Sequence, residues 1–199
     1  MRRLINILMF STLVLFSTIS FSYDSDPEAF IDQLVNDAIS ILSDKNISIV
    51  DRNKKMKNIA LQNVDIEALG MYTLGQTRKN IDQVTLEKYK NLFEKYFLKS
   101  LTSRLTDYAS QNFEILGADQ KSEAYTIVKS KIAESSSGPE IKINWRVYTK
   151  DPAKPLIRDL IVEGLSLAKT QKEEFASILN SNNNDISVLF TKLEEFIKK

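Results

Sequence analysis

An α+β fold, with helices gathered on one side of a curved four-stranded antiparallel sheet, is predicted by three observations. Apolar residues recur at three- and four-residue steps before residue 110 and after residue 170. Between those regions, four segments alternate apolar and polar with a period of two. The connections between these segments are short, which favours a meander over crossover topologies. Helices, then strands, then helices again is the order of a segregated α+β domain.

The first helix is announced by Asp26 as N-cap, Pro27 at the first helical position and Glu28 in the first turn. Phe30, Ile31, Leu34, Val35, Ala38, Ile41 and Leu42 then give it a broad apolar face. A second helix is expected over 49–64, with Val50, Met56, Ile59, Ala60 and Val64 inward and Arg52, Lys54, Lys55 and Lys57 forming a solvated basic face. A short helix over 65–74 should end at Gly75, a natural C-cap. From Asp82 to Ser110 there is no proline or glycine, and Leu86, Tyr89, Leu92, Phe93, Tyr96, Phe97, Leu101, Leu105 and Tyr108 form an aromatic-rich stripe, so one long helix is predicted.

Four strands are then expected over 113–116, 122–133, 140–148 and 156–163. Turns are placed at Gly117-Ala118-Asp119, at Ser135 to Pro139 and at Asp151 to Pro155. In the third strand Ile141, Ile143, Trp145 and Val147 share a face; in the second, Ala124, Thr126, Val128, Ser130 and Ile132 do. That second face is unusually small in volume, so it either receives bulky helical side chains or leaves room for a ligand. Two helices, over 170–180 and 185–198, should complete the chain.

Arg2 and Arg3 precede an uncharged apolar run from Leu4 to Phe16, followed by Ser20-Phe21-Ser22. This is the layout of a cleavable export signal, and the run is shorter than the roughly 20 residues that cross a bilayer. Residues 1–22 are therefore read as a signal peptide and residues 23–199 as a single exported domain. Taking the two arginines from 27 bases leaves 25 against 26 acids, a net charge of −1, which gives no reason to expect a nucleic-acid partner. The chain has no cysteine, so disulfides, thiolate metal sites and a lipid-modified N-terminal cysteine are excluded. It also has no histidine, which excludes histidine-based triads, histidine-ligated zinc and imidazole proton shuttles. No cofactor is expected.

Two passages carry a family resemblance. Asp159-Leu160-Ile161-Val162-Glu163-Gly164-Leu165-Ser166, leading into Glu174-Phe175-Ala176-Ser177-Ile178-Leu179, is one. The other is Leu74-Gly75-Gln76-Thr77-Arg78, followed by Tyr89, Phe93, Phe97, Leu101 and Tyr108. Both resemble signatures of the MlaC family of periplasmic phospholipid-binding, toluene-tolerance proteins. Thr77 departs from the family's usual aromatic, and Pro155-Leu156-Ile157 from its usual "W-K-V".

The resemblance implies an NTF2-like or cystatin-like sheet wrapped by helices around an apolar pocket. It further implies a soluble carrier that shuttles phospholipid between an outer-membrane lipoprotein-porin complex and an inner-membrane ABC transporter complex, maintaining outer-membrane lipid asymmetry. On that reading the lining falls to Leu69, Leu74, Phe93, Phe97, Leu101, Val128, Ile143, Trp145, Val147, Leu160, Val162 and Leu165. Arg78 and Arg146 are the candidates for the phosphate, because a guanidinium can engage it with two parallel hydrogen bonds. Asp159, Glu163, Gly164 and Ser166 cluster at a strand end, but a serine nucleophile would find no histidine base, and Gly164 and Ser166 fit a turn and a helix start better. No catalysis is expected. The rival readings are an exported protein-interaction module with a solid core and an acid-base enzyme of the NTF2-like type.

Overall fold

Six helices and a five-stranded sheet make up the computed structural model, which describes residues 23–104, 112–133 and 139–199. The helices are α1 (Pro27–Ser43), α2 (Ile49–Asn63), α3 (Ile66–Leu74), α4 (Gln83–Arg104), α5 (Leu167–Asn180) and α6 (Ile186–Lys198). The strands are β1 (Asn112–Ser122), β2 (Tyr125–Ala133), β3 (Glu140–Tyr148), β4 (Leu156–Val162) and the two-residue β5 (Leu165–Ser166), in sequence order and antiparallel throughout. The expected export segment, Leu105 and Tyr108 of the aromatic stripe, and Ser135 to Gly138 of the second turn lie outside the described residues.

Helix starts follow the local chemistry. Asp26, Ser48, Asp65, Ser166 and Asp185 each accept a backbone N–H of the first turn, satisfying donors that the helix itself leaves unpaired. Asp82 does the same for α4, accepting from Thr85 N at 2.8 Å and Thr85 Oγ1 at 3.0 Å; these bonds hold its carboxyl below the usual range. Gly75, at φ +60°, ends α3 and turns the chain into a short 3-10 segment, Gly75–Lys79. α5 begins three residues earlier than its apolar periodicity suggests, because Ser166 caps it.

Two corrections concern the sheet. The expected turn at Gly117-Ala118-Asp119 is a β-bulge: Ile115 pairs with Ser130 and Gly117 with Lys129, which leaves Leu116 as the extra residue. Gly117 absorbs the irregularity at φ +128°, and the chain reverses instead at Glu123-Ala124. The bulge also changes which residues share the face of Val128 and Thr126: Phe113 and Ile115, partly buried, do so before it, and Ala118 and Gln120, both exposed, do so after it. The second correction is the strand count of five, rather than four. Glu163 (φ +48°) and Gly164 (φ +83°) form a two-residue hairpin turn, so Leu165 and Ser166 pair back onto Val162 and Ile161.

The interior is divided. A helical core gathers α3, α4, α5 and α6 around Leu69, Tyr89, Phe93, Phe175 and Leu189. A sheet core places Phe30, Ile31 and Leu34 of α1 on Val128, Val147 and Ile157. α2 spans both, with Ile59 in the sheet core and Ala60 in the helical one, and Val64 packs against each.

Three consecutive residues of β4 fasten the helices to the sheet. The Ile157 carbonyl accepts Asp65 N at 2.9 Å. Arg158 donates to Asp65 Oδ2 (2.8 Å) and to the Tyr125 hydroxyl (2.7 Å), and its guanidinium stacks 3.5 Å from the centre of the Tyr148 ring. Burial pulls the Arg158 pKa down, but the Tyr125 and Asp65 hydrogen bonds outweigh it and the net shift is upward. Asp159, 3% exposed, accepts Ala168 N at 3.0 Å and Ser166 Oγ at 2.6 Å, with Arg146 at 3.7 Å.

Replacing Asp159 with alanine orphans the Ala168 N–H and the Ser166 hydroxyl, so Asp159→Ala should lower unfolding free energy by about 2–4 kcal/mol. Ser166→Ala, which removes only a cap, should cost about 1 kcal/mol. Urea unfolding followed by circular dichroism checks both, and equal losses would contradict the role assigned to the carboxylate.

Candidate functional site

Nine of the twelve residues proposed to line a cavity separate into the two cores, and Ile143, Val162 and Leu165 belong to neither. On the helical side, Leu69, Leu74 and Phe93 are buried, with Phe97 and Leu101 partly buried against them. The aromatic stripe of α4 is stacked: Tyr89 lies on Phe93 with ring centres 5.8 Å apart, Phe93 on Phe97 at 6.4 Å, and Phe175 of α5 meets Phe93 edge-on at 6.3 Å. Leu98, which the stripe did not include, is also buried, since α4 packs against α2, α3 and α6 and its apolar arc is correspondingly wide.

Gly70 is what lets α3 approach this stack. A Cβ there would lie 2.8 Å from Phe93 Cδ1, closer than real contacts allow. Tyr89, fully buried, donates from its hydroxyl to the Gly70 carbonyl at 3.1 Å and shares a 2.9 Å bond with Thr73 Oγ1; burial pushes its pKa up. The phenol is thus a neutral pin between α3 and α4.

On the sheet side, Val128 and Val147 are fully buried, with Trp145 and Leu160 partly buried against them. Ile143 pairs across the strands with Val162, and Trp145 with Leu160, so the four share one sheet face, and all four remain partly exposed. The small residue at Ser130 has a specific use. Trp145 Nε1 donates to Ser130 Oγ at 2.8 Å, and that hydroxyl donates onward to the Ile143 carbonyl at 3.1 Å. A larger side chain at 130 would displace the indole.

Two candidates, Leu165 and Arg78, are placed otherwise than the sequence reading expects, whereas Arg146 stays accessible. Leu165 is 68% exposed in the β4–β5 hairpin and lines nothing interior. Arg78 donates to the Met71 carbonyl at 2.6 Å, closing the C-terminus of α3. Arg146 has its side chain 44% exposed and only the 3.7 Å contact with Asp159, which leaves guanidinium donors open to water. Sequence reasoning also left Phe30, Ile31 and Ile157 out of the lining set, although all three press on the same sheet face as Val128. The broad apolar face of α1 was the available signal. Glu163, part of the acidic cluster at the strand end, accepts the Lys142 N–H, and Asp159 and Ser166 serve as a helix cap, so none of the three is arranged around a nucleophile.

Two surface clefts lie beside α3, one of about 170 Å³ between α3 and α4 and one of about 210 Å³ bounded by the end of α2, the start of α3, Glu94 of α4, Lys154 and Leu156. Their walls include Glu67, Glu94 and a lysine in each case, and each is smaller than the roughly 300–1,000 Å³ usual for ligand pockets. They are not where apolar tails would go. Among the described residues no cluster of carboxylates is disposed to hold a metal ion, and no helix is long and apolar enough to cross a membrane.

Comparison with known proteins gives this geometry a context. The family described as MlaC protein matches residues 32–195. The chain belongs to the MlaC family. Among solved structures, a phospholipid-binding protein from Ralstonia solanacearum, determined in complex with a phospholipid, superposes with a TM-score of 0.70. The two are 17% identical, over 88% of this chain and 97% of that one, so the shared property is the fold. No curated protein sequence matches. Within the MlaC match fall the helical core, all of the sheet core but Tyr23, Phe30 and Ile31, the β4 fastening and every candidate lining residue.

The close contact at Gly70 predicts that Gly70→Val destabilises this MlaC-family chain by about 2 kcal/mol or more, despite the better helix propensity of most residues over glycine. A thermal melt of the variant tests this; an unchanged or raised midpoint would mean that the Phe93 ring yields freely.

Proposed function

We propose that this chain is a phospholipid carrier, taking acyl chains into the seam between its sheet core and its helical core. The observation that carries the reading is the state of Ile143, Trp145, Leu160 and Val162. These large apolar side chains share a sheet face yet stay partly exposed beside two well-buried cores, in a chain whose family is MlaC. The phospholipid held by the Ralstonia protein of like fold supports the same reading.

Each methylene removed from water contributes roughly 0.8 kcal/mol, so two acyl chains amount to on the order of 20 kcal/mol, far more than a surface patch could shield. Between a membrane and an apolar protein seam most of that term cancels. A carrier therefore needs flexible aliphatic and aromatic walls more than specific contacts, and Phe97, Leu101, Trp145 and Leu160 are such walls. The polar end of the lipid would face water, where Arg146, with donors to spare, suits a phosphate better than Arg78, whose guanidinium is committed to Met71.

The N-terminal export signal, the periplasm as the place of work, and delivery between an outer-membrane lipoprotein-porin complex and an inner-membrane ABC transporter complex belong to the same proposal. So does the absence of catalysis: at the β4–β5 corner Asp159 and Ser166 are engaged in holding α5, and Glu163 accepts the Lys142 N–H.

Native mass spectrometry of the protein purified from the periplasm without detergent, followed by organic extraction, should find stoichiometric phospholipid. A ligand-free protein that also refuses added phospholipid would favour an interaction module with a solid core. Phe97→Asp and Trp145→Asp should lose the lipid while keeping a folded circular-dichroism spectrum; full occupancy in either folded variant would remove that residue from the lining. Trp145 is the only tryptophan in the chain, so its emission also reports directly on lipid uptake and release.

A further inference from the structure

Helix α2 carries a feature that the lipid seam does not use. It buries Met56, Ile59, Ala60 and Asn63 on one side, and about 140° round from them presents Val50, Lys54, Lys57 and Leu61, spaced four, three and four residues apart. Val50 is 76% exposed, contrary to the inward place its sequence position suggests, because it lies about one and two-thirds turns before Met56 and off the buried face; Leu61 is 48% exposed.

The charge on this face is uncompensated. α2 has four basic residues and a single acid, Asp51, which is held by the Ser48 hydroxyl at 2.7 Å. Of the bases, Arg52 turns inward and donates to the Asp44 carbonyl at 2.7 Å. Lys54, Lys55 and Lys57 are exposed and form no ion pair among the described residues. The lysines of the sheet differ in this respect: Lys121 and Lys129 meet Asp119, and Lys131 bridges Glu114 and Glu140. Since residues 23–199 as a whole carry a net charge of −1, the positive field here is local to α2 rather than a property of the chain.

We infer that the outward face of α2 docks on the anionic surface of a lipid bilayer. Lysines, as point charges on long flexible stems, suit a fluid layer of phosphates, and exposed apolar residues at both ends of the stripe can enter the headgroup region between them. Each lysine near an anionic leaflet strengthens binding about fivefold, so Lys54 and Lys57, the two that share the stripe, give an attachment strong enough to orient the protein and weak enough to be reversed. This site lies outside the lipid seam and does not depend on it.

The test is co-sedimentation of the protein, as cells produce it, with vesicles of phosphatidylcholine alone or with about one-third phosphatidylglycerol, at about 0.05 and 0.5 M salt. Binding is expected only to the anionic vesicles and should fall steeply with salt. The double variant Lys54→Glu/Lys57→Glu, which changes only exposed residues, should lose at least about tenfold in apparent affinity. Val50→Ser/Leu61→Ser should weaken binding at high salt more than at low salt. Lipid extracted from the same variants should match the unaltered protein, which separates failure of this site from failure of the carrier reading. Equal binding to both vesicle types, or charge reversal without effect, would overturn the inference, as would capture of an acidic protein domain by α2 with no vesicle binding at all.

Discussion

Strand β4 is where the two halves of this protein are joined, and the joint depends on one buried carboxylate. Asp159 is almost inaccessible to water, and burying a carboxyl group is costly unless its lone pairs are answered. The answers come from the start of α5: the Ala168 N–H, the Ser166 hydroxyl, and at longer range Arg146 from the adjoining strand. Ser166 is held from both directions, since its oxygen also caps α5 by accepting Lys169 N at 3.0 Å. The carboxylate thereby sets where α5 begins. α5 in turn carries Phe175 and Leu179 into the helical core.

The two residues before it complete the joint, and an irregularity in the sheet makes this possible. Val147 pairs with Ile157 while its neighbour Arg146 pairs with Asp159, which leaves Arg158 as an extra residue. Ile157 can then enter the sheet core while Arg158 reaches Asp65, the N-cap of α3. Three adjacent residues so engage three different partners. The guanidinium is further fixed by two tyrosine rings, themselves packed edge-on at 5.4 Å, which restrict its rotamers before any hydrogen bond forms.

What was legible in the residues was whatever depends on local chemistry. Asp26-Pro27, Gly75 and the proline- and glycine-free stretch after Asp82 mark helix boundaries because caps, φ restrictions and propensity act within a turn or two. The inward face of β3 followed from alternation alone. Gly117 was misread because a glycine beside aspartate carries the same signal in a turn and in a bulge; only the pairing partner, Lys129, distinguishes them. Leu165 was placed inside because the pattern that precedes it is a strand, whereas the hairpin at Glu163-Gly164 reverses the chain and leaves it outside. Arg78 looked like a free cation because nothing in a sequence reveals that the Met71 carbonyl, about two turns back, lies within reach. The division of the lining set between two cores was likewise beyond periodicity, which says that a residue is covered but not by what.

That division bears directly on how cargo could enter. The polar fastenings between the helical core and the sheet are concentrated at Ile157, Arg158 and Asp159, and only α2 threads through both cores, by way of Ile59, Ala60 and Val64. Away from β4 the two are held together by apolar contact, which an acyl chain can replace nearly like for like: the methylenes that leave a protein neighbour find a lipid neighbour instead. Breaking the β4 joint would be different in kind, since it would strand a buried carboxyl group and several donors. Parting the seam while keeping the joint is therefore the less costly motion. On the carrier reading proposed above, the Ile157–Asp159 joint would be the fixed point of that motion, which accounts for polar chemistry being concentrated on the strand that must stay closed.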